Sequence, residues 1–420
     1  MISKFSCKNF RNVNVDDLAL SRINIFIGPN NSGKTNLIKA IAFYSNMLKY
    51  AADGNEGSDF MNAMSRNGWQ HSKNCYAEQS DSVSFEWHLD YNSQPVVYKF
   101  AYSVGEKRED YHINLEELSA EPDTQKRYAE KFNYFTAHGK KIGQGTFSTA
   151  TKKGMENKRI PVKLNGAETV ISQFDRLLLD EQALYNAKTF RNDINSLIKG
   201  IETAFKSFYS YSSAEFDVKE IRRRVDSKGF DRFLRRDGRN FANLFYKCKN
   251  ESLLWKKKYV DMMRLFYRSI VDIDVIDQRD SISLAILEED KETDLADVSE
   301  GTLKALLWGI LFCPTKDYQY ELLALDEPET NLHPAWQRVM GDVIMESKSY
   351  RQCIISTHSP DFLDSFTELF KKGEDVSVYA FDLNGNVRPV YYKDIAEEMG
   401  DWLLGDLYRT QDPALGGWPW

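Results

Sequence analysis

The sequence predicts an α/β fold with three parts: a core built on a strand, glycine-rich loop and helix, an antiparallel β subdomain and an inserted helical lid or arm. Three observations predict it. The apolar run Ile23-Asn24-Ile25-Phe26-Ile27 leads into Gly28-Pro29-Asn30-Asn31-Ser32-Gly33-Lys34-Thr35, and a helical pattern opens at Asn36. From residue 82 to 119 apolar and polar side chains alternate with period two. Two later apolar runs, 321–325 and 352–355, end in carboxylate or hydroxyl residues, as buried parallel strands do at a site.

In order along the chain, residues 2–7 and 13–18 read as short strands around the turn Asn9-Phe10-Arg11-Asn12. The loop after the third strand has the order a P-loop requires. Its glycines let backbone N–H groups curl inward at a phosphate, and the helix N-terminus adds partial positive charge there. Lys34 is placed to reach the β- and γ-phosphates, and Thr35 to take one position on Mg²⁺. The helix carries Leu37, Ile38, Ile41, Tyr44 and Leu48 at helical spacing. Residues 52–81 are polar and read as loops with one short helix near 60–64. Residues 83–89, 96–104 and 111–119 read as an antiparallel meander, which 121–163 continues with heavy looping.

From 170 to about 268 the period is helical throughout, with a last helix over 253–270. A strand follows at 281–286, then an acidic turn at 288–294. Val298-Ser299-Glu300-Gly301-Thr302 opens a helix, and Pro334 sits where another begins. The chain closes with a hairpin around Asn384-Gly385. These shifts divide it into 1–169, 170–270 and 271–420.

The 420 residues, 42% hydrophobic and 13% aromatic, are those of a globular protein. No apolar run approaches a membrane span, no signal-peptide pattern opens the chain, and five scattered cysteines without a CxxC pair suit a reducing cytoplasm. The net charge of −7 hides an asymmetry: residues 219–268 hold 16 Lys/Arg against 6 Asp/Glu, and 272–329 hold 4 against 16. The basic segment fits DNA, or equally a solvated amphipathic lid.

Asp326-Glu327 ends an apolar strand, so Asp326 is the candidate Mg²⁺ ligand and Glu327 the candidate base that orients and deprotonates water. An acidic turn after a core strand is the plain alternative. Ser299-Glu300-Gly301 at a helix start suits a second phosphate contact, or an ordinary N-cap. His358, just past a core strand, can donate to a γ-phosphate or serve as a turn residue. The four signals agree in order along the chain, and that agreement raises all of them together.

Carried by Gly28–Thr35, by Val298-Ser299-Glu300-Gly301-Thr302, by Leu325-Asp326-Glu327-Pro328-Glu329 with Asn331-Leu332-His333-Pro334, and by Ser356-Thr357-His358-Ser359, a resemblance follows, and Asn36 joins the phosphate-loop residues as a candidate nucleotide contact. The chain resembles ABC-type AAA-family ATPases of the RecF/SMC-like branch. More narrowly, it resembles ATPases related to the overcoming-lysogenization-defect (OLD) nucleases, including subunits of anti-phage systems such as Septu, Gabija and PARIS. Asp237-Gly238-Arg239-Asn240-Phe241 and the tail from Leu415 to Trp420 share the likeness. The resemblance implies an ABC-type head that binds and hydrolyses ATP with Mg²⁺. It also implies a head-to-tail homodimer, or larger oligomer, in which Ser299 and Gly301 of one subunit close over ATP held by the other.

Under the same resemblance, His333 falls in a cross-dimer loop, although capping the helix at Pro334 explains it equally well. Glu300 stands where the signature usually has glycine, and Gln70, Gln79, Gln144 and Gln173 are all candidates for the Q-loop. Only 62 residues follow His358, too few for the Toprim nuclease domain of the OLD enzymes. The expected function is therefore a sensor or regulatory ATPase of an anti-phage system, acting on a separate effector nuclease or toxin. The alternative is a DNA-binding ATPase of repair or maintenance.

Overall fold

A computed structural model describes residues 1–51, 59–66, 72–74, 77–78, 81–92, 94–105, 111–121, 132–139, 142–149, 158–180, 188–226, 232–278, 281–313 and 319–416. It divides into two compact units: residues 1–21, 30–208 and 382–387, and residues 22–29, 209–381 and 388–420.

The first unit is organised on an eight-stranded antiparallel sheet. Its spatial order is Val13–Ala19, Ile2–Phe10, Val83–Tyr91, Gln94–Ser103, His112–Ala120, Phe132–His138, Gln144–Thr149 and Lys158–Lys163. Alternation places Val83, Phe85, Trp87 and Leu89 on a buried face. Phe43 stacks on Phe85 with ring centroids 4.7 Å apart, and Phe205 meets Trp87 edge-on at 5.5 Å. Glu116, fully buried, accepts from the Val170 N–H at 2.9 and 2.8 Å, and from Tyr44 and Tyr98. A carboxylate thereby closes the start of the Val170–Asp180 helix, where the helix end is electropositive.

The second unit holds a six-stranded sheet in the order Phe208–Ser212, Tyr320–Asp326, Tyr350–Ser356, Ile23–Ile27, Val376–Phe381 and Val387–Val390. The four central strands pair in parallel, in a register that sets Asp326 opposite Ser356. The Ile23–Ile27 strand is buried on both faces, which explains its unbroken apolar character. A smaller antiparallel sheet joins Val225–Asp226, Ser281–Glu288, Asp272–Gln278 and Lys291–Asp294.

Several local expectations change. The helical period over 170–268 is broken by the strand Phe208–Ser212, whose alternating aromatics pack against the Tyr320–Asp326 strand, with Tyr209 and Tyr320 rings 5.4 Å apart. The last helix of that block stops at Phe266, because Tyr267 turns extended. The acidic turn at 288–294 is the tip of a hairpin whose return strand, Lys291–Asp294, pairs with Ser281–Glu288. Side chains from this part of the chain pack on the buried Glu300–Phe312 helix: Tyr259 donates to the Leu306 carbonyl at 2.7 Å, and Phe216 meets Trp308 at 4.9 Å.

The charge asymmetry of the sequence folds on itself. Arg224 pairs with Asp294 at 3.5 Å, Lys256 with Asp272 and Asp274 at 2.7 and 2.9 Å, and Lys249 with Asp274. Among the described residues, no helix is long and apolar enough to cross a membrane.

Candidate nucleotide site

The phosphate loop begins where the Ile23–Ile27 strand ends. Gly28 has φ 140°, and a Cβ there would lie 2.5 Å from the Phe381 carbonyl oxygen, so only glycine fits. Asn31 and Gly33 also take positive φ, 64° and 103°, curling the chain into the Lys34–Ile41 helix. No side chain caps that helix at Gly33. Gly28 and Pro29 belong to the second unit, and Asn30 to Asn36 to the first.

Lys34 is 5% exposed, and Ser32 is wholly buried with an Oγ that has no hydrogen-bond partner among the described residues. A stranded hydroxyl and an uncapped helix start in one loop are groups that a bound phosphate satisfies, and the Lys34 side chain adds positive charge to the same loop. The residues present therefore fit a nucleotide. Asn36, in the first turn, accepts from Arg11 Nη1 at 3.0 Å and donates to Asn12 Oδ1 at 2.8 Å, which ties the loop's helix to the turn at 9–12.

In the second unit, strand register brings Ser356 Oγ to Asp326 Oδ1, where it donates. Glu327 adopts φ 51°, a left-handed backbone that is rare outside glycine and is held here because its N–H donates to Ser356 O at 3.1 Å. The strained turn sets Glu327 Oε1 3.4 Å from His358 Nε2. From the neighbouring edge strand, the Ser213 N–H donates to the Asp326 carbonyl at 3.2 Å. Asp326, Glu327 and His358 thus converge at the ends of two adjacent strands.

Ser299 caps the Glu300–Phe312 helix, its Oγ accepting from Thr302 N–H at 3.1 Å while the side chain stays exposed. Glu300 bonds Asn331 Nδ2 at 2.7 Å and pairs with Lys304 at 3.4 Å. Gly301 has no room for a side chain, since a Cβ would lie 2.8 Å from the Asn331 carbonyl oxygen. His333 caps its own helix, Nδ1 accepting from the Ala335 N–H at 3.2 Å.

Of the four Q-loop candidates, Gln70 and Gln79 lie outside the described residues. Gln144 sits in the antiparallel sheet, and Gln173 is buried, tying its own helix to the loop at Asn165. Sequence reasoning passed over Ser213, and it did not find the contacts of Ser356, Arg222 and Glu329. All four act through partners more than 25 positions away in the chain, which no local pattern reveals.

A parallel sheet with a phosphate loop at one strand end and paired carboxylates at another is the arrangement of a P-loop ATPase. The family model described as "AAA domain, putative AbiEii toxin, Type IV TA system" matches residues 23–364, and the chain belongs to that family. No curated protein matches. Among solved structures, an SMC head bound to the C-terminal winged-helix domain of ScpA is 12% identical, with TM-score 0.47, covering 94% of this chain and 99% of its own. An SMC head domain from Thermotoga maritima gives 12% and 0.37, covering 93% and 98%. An Smc head with an extended coiled coil, bound to the C-terminal domain of ScpA from Pyrococcus furiosus, gives 11% and 0.41, covering 95% and 98%.

Proposed function

We propose that the protein is an ATP-driven assembly switch: an ABC/OLD-like ATPase that dimerises head-to-tail on ATP. As sensor or regulatory subunit of a bacterial anti-phage system, it would act in the cytoplasm on a separate effector nuclease or toxin. The observation that carries the ATPase half of this reading is the Glu327–His358 contact at 3.4 Å, made at the end of the strand that delivers Asp326. The toxin system in the family's description supports the defence half.

Lys34 and the N–H groups of Gly28 and residues 30–36 would bind the phosphates, and Thr35 and Asp326 are the residues that would hold Mg²⁺. When bound, the metal would supply screening of the phosphate charge. Glu327 orients the attacking water and takes its proton, while His358 donates toward the γ-phosphate. Ser299 and Gly301, at an exposed helix start, serve the nucleotide of a second subunit, with Glu300 beside them. The lobes 1–169 and 271–420 flank the insertion 170–270. The DNA-maintenance alternative rests on segment 219–268, several of whose cations are paired with Asp272, Asp274 and Asp294, so the reading does not depend on DNA.

The test uses two variants. Lys34→Ala should lose ATP binding, and Glu327→Gln should bind ATP without turnover and accumulate as a dimer by light scattering. Capturing partners on Glu327→Gln with ATP and Mg²⁺ reads out protein and nucleic acid separately. Normal hydrolysis by Glu327→Gln would remove the assignment.

A further inference from the structure

We propose that Glu329 is a positioning residue of this site, its buried carboxyl group holding the Thr357–His358 backbone so that the His358 ring stays against Glu327. The inference rests on the ATPase reading above and adds a residue to it. Glu329 is 6% exposed. Its Oε1 accepts from Thr357 Oγ1 at 2.7 Å and from the His358 N–H at 2.9 Å. The Thr357 hydroxyl also accepts from Ser359 N–H at 3.0 Å, so one carboxyl oxygen organises three consecutive residues. Oε2 is buried without a hydrogen-bond partner, and no cation forms an ion pair with Glu329 among the described residues.

A carboxyl group in that setting is an expensive way to close a turn, because its charged form is stripped of water without a counter-ion. Burial pushes the group up, Thr357 and the His358 N–H pull it down, and the Glu327 carboxylate pushes it up again, with the balance at about 7. The groups facing it are Glu327 on its own turn, His358 after the neighbouring strand, and Tyr408 on the Leu404–Arg409 helix. The Tyr408 hydroxyl in turn meets the Gly28 N–H at the start of the phosphate loop. On the other side, two residues along, Asn331 bonds Glu300. The carboxyl group therefore sits where the hydrolytic residues, the phosphate loop and the signature helix of one chain are joined.

The full-length protein is assayed for ATP turnover between pH 6 and 9 as wild type, Glu329→Leu and Glu329→Gln. Glu329→Leu should lower kcat about 100-fold with KM within about twofold, the cost of an approximately 1 Å misplacement. Glu329→Gln keeps an acceptor oxygen and should restore kcat to within about tenfold, with the bend near neutrality removed from the profile. Wild-type kcat in folded Glu329→Leu, or a wild-type pH profile in Glu329→Gln, would overturn the proposal. The His358 ring resonances, assigned by their loss in His358→Gln, supply a readout independent of turnover. They should move in either Glu329 variant, and unmoved resonances would overturn the proposal even if the wild type hydrolyses no ATP, the result that would instead sink the ATPase reading.

Discussion

Arg222 donates from Nη2 to the carbonyl oxygen of Val298 across 2.7 Å, one residue before Ser299. The most basic stretch of the chain is thus tied to the loop that opens the Glu300–Phe312 helix. Arg222 Nε is buried beside it with no partner of its own among the described residues. Arg223 pairs with Glu220, and Arg224 with Asp294. Reversing all three charges would therefore break the fold's own contacts as well as any DNA contact. Arg222→Ala should cost about 2 kcal/mol in urea unfolding, the scale of a charged hydrogen bond, and should weaken ATP-dependent dimerisation more than ATP binding. Equal losses in both, or in neither, would detach Arg222 from Ser299.

Gly301 supplies a sharper test of the proposed shared site. A Cβ at that position would lie 2.8 Å from the Asn331 carbonyl oxygen, so Gly301→Ala must push the helix start away from the Asn331 turn. Nucleotide affinity of the monomer, set by residues 28–36, should stay within about twofold, while the ATP-dependent dimer population falls at least about tenfold, a shift of roughly 1.4 kcal/mol. Titration with a fluorescent ATP analogue and analytical ultracentrifugation measure the two separately. Loss of monomer affinity would place Gly301 at its own chain's nucleotide.

The phosphate loop was legible because its residues are consecutive and each has a local reason, down to the positive φ of Gly28 and Gly33. Asp326-Glu327 and His358 were legible because each ends an apolar strand. What escaped depends on register and distance. Ser356 reaches Asp326 only because two parallel strands align them, and Ser213 arrives from a strand hidden inside a helical period. Phe208–Ser212 has the aromatics of a strand, but at five residues it is outweighed by the helices on either side. Glu329 looked like part of a turn motif, and its role depends on burial that no spacing encodes.

Glu116 anchors the first unit in the way Glu329 anchors the second, with its partners fully satisfied. Replacing it with alanine strands the Val170 N–H in the core and takes one acceptor from the hydroxyls of Tyr44 and Tyr98, which still bond each other. Glu116→Ala should lower stability by on the order of 3 kcal/mol in chemical denaturation, and Glu116→Gln by less, because an amide oxygen still accepts at the helix start. A loss below about 1 kcal/mol for the alanine variant would show that water or rearrangement replaces the carboxylate.

Glu329 also makes stability depend on pH, with a definite sign. Its carboxyl group titrates at about 7 in the fold against an ordinary 4.5, so the folded state holds the proton more tightly than the unfolded chain. Stability from this group is complete below about 4.5 and declines as pH rises through 7, because the ionised form is the one that burial penalises. Each unit of difference corresponds to roughly 1.4 kcal/mol, so the wild type should lose on the order of 3 kcal/mol relative to Glu329→Gln between pH 5 and pH 8. Guanidinium unfolding of both proteins at pH 5, 6, 7 and 8 measures this, and the difference between the two curves removes other titrations common to both. A flat difference would mean that Glu329 is ionised throughout, with its second oxygen hydrated.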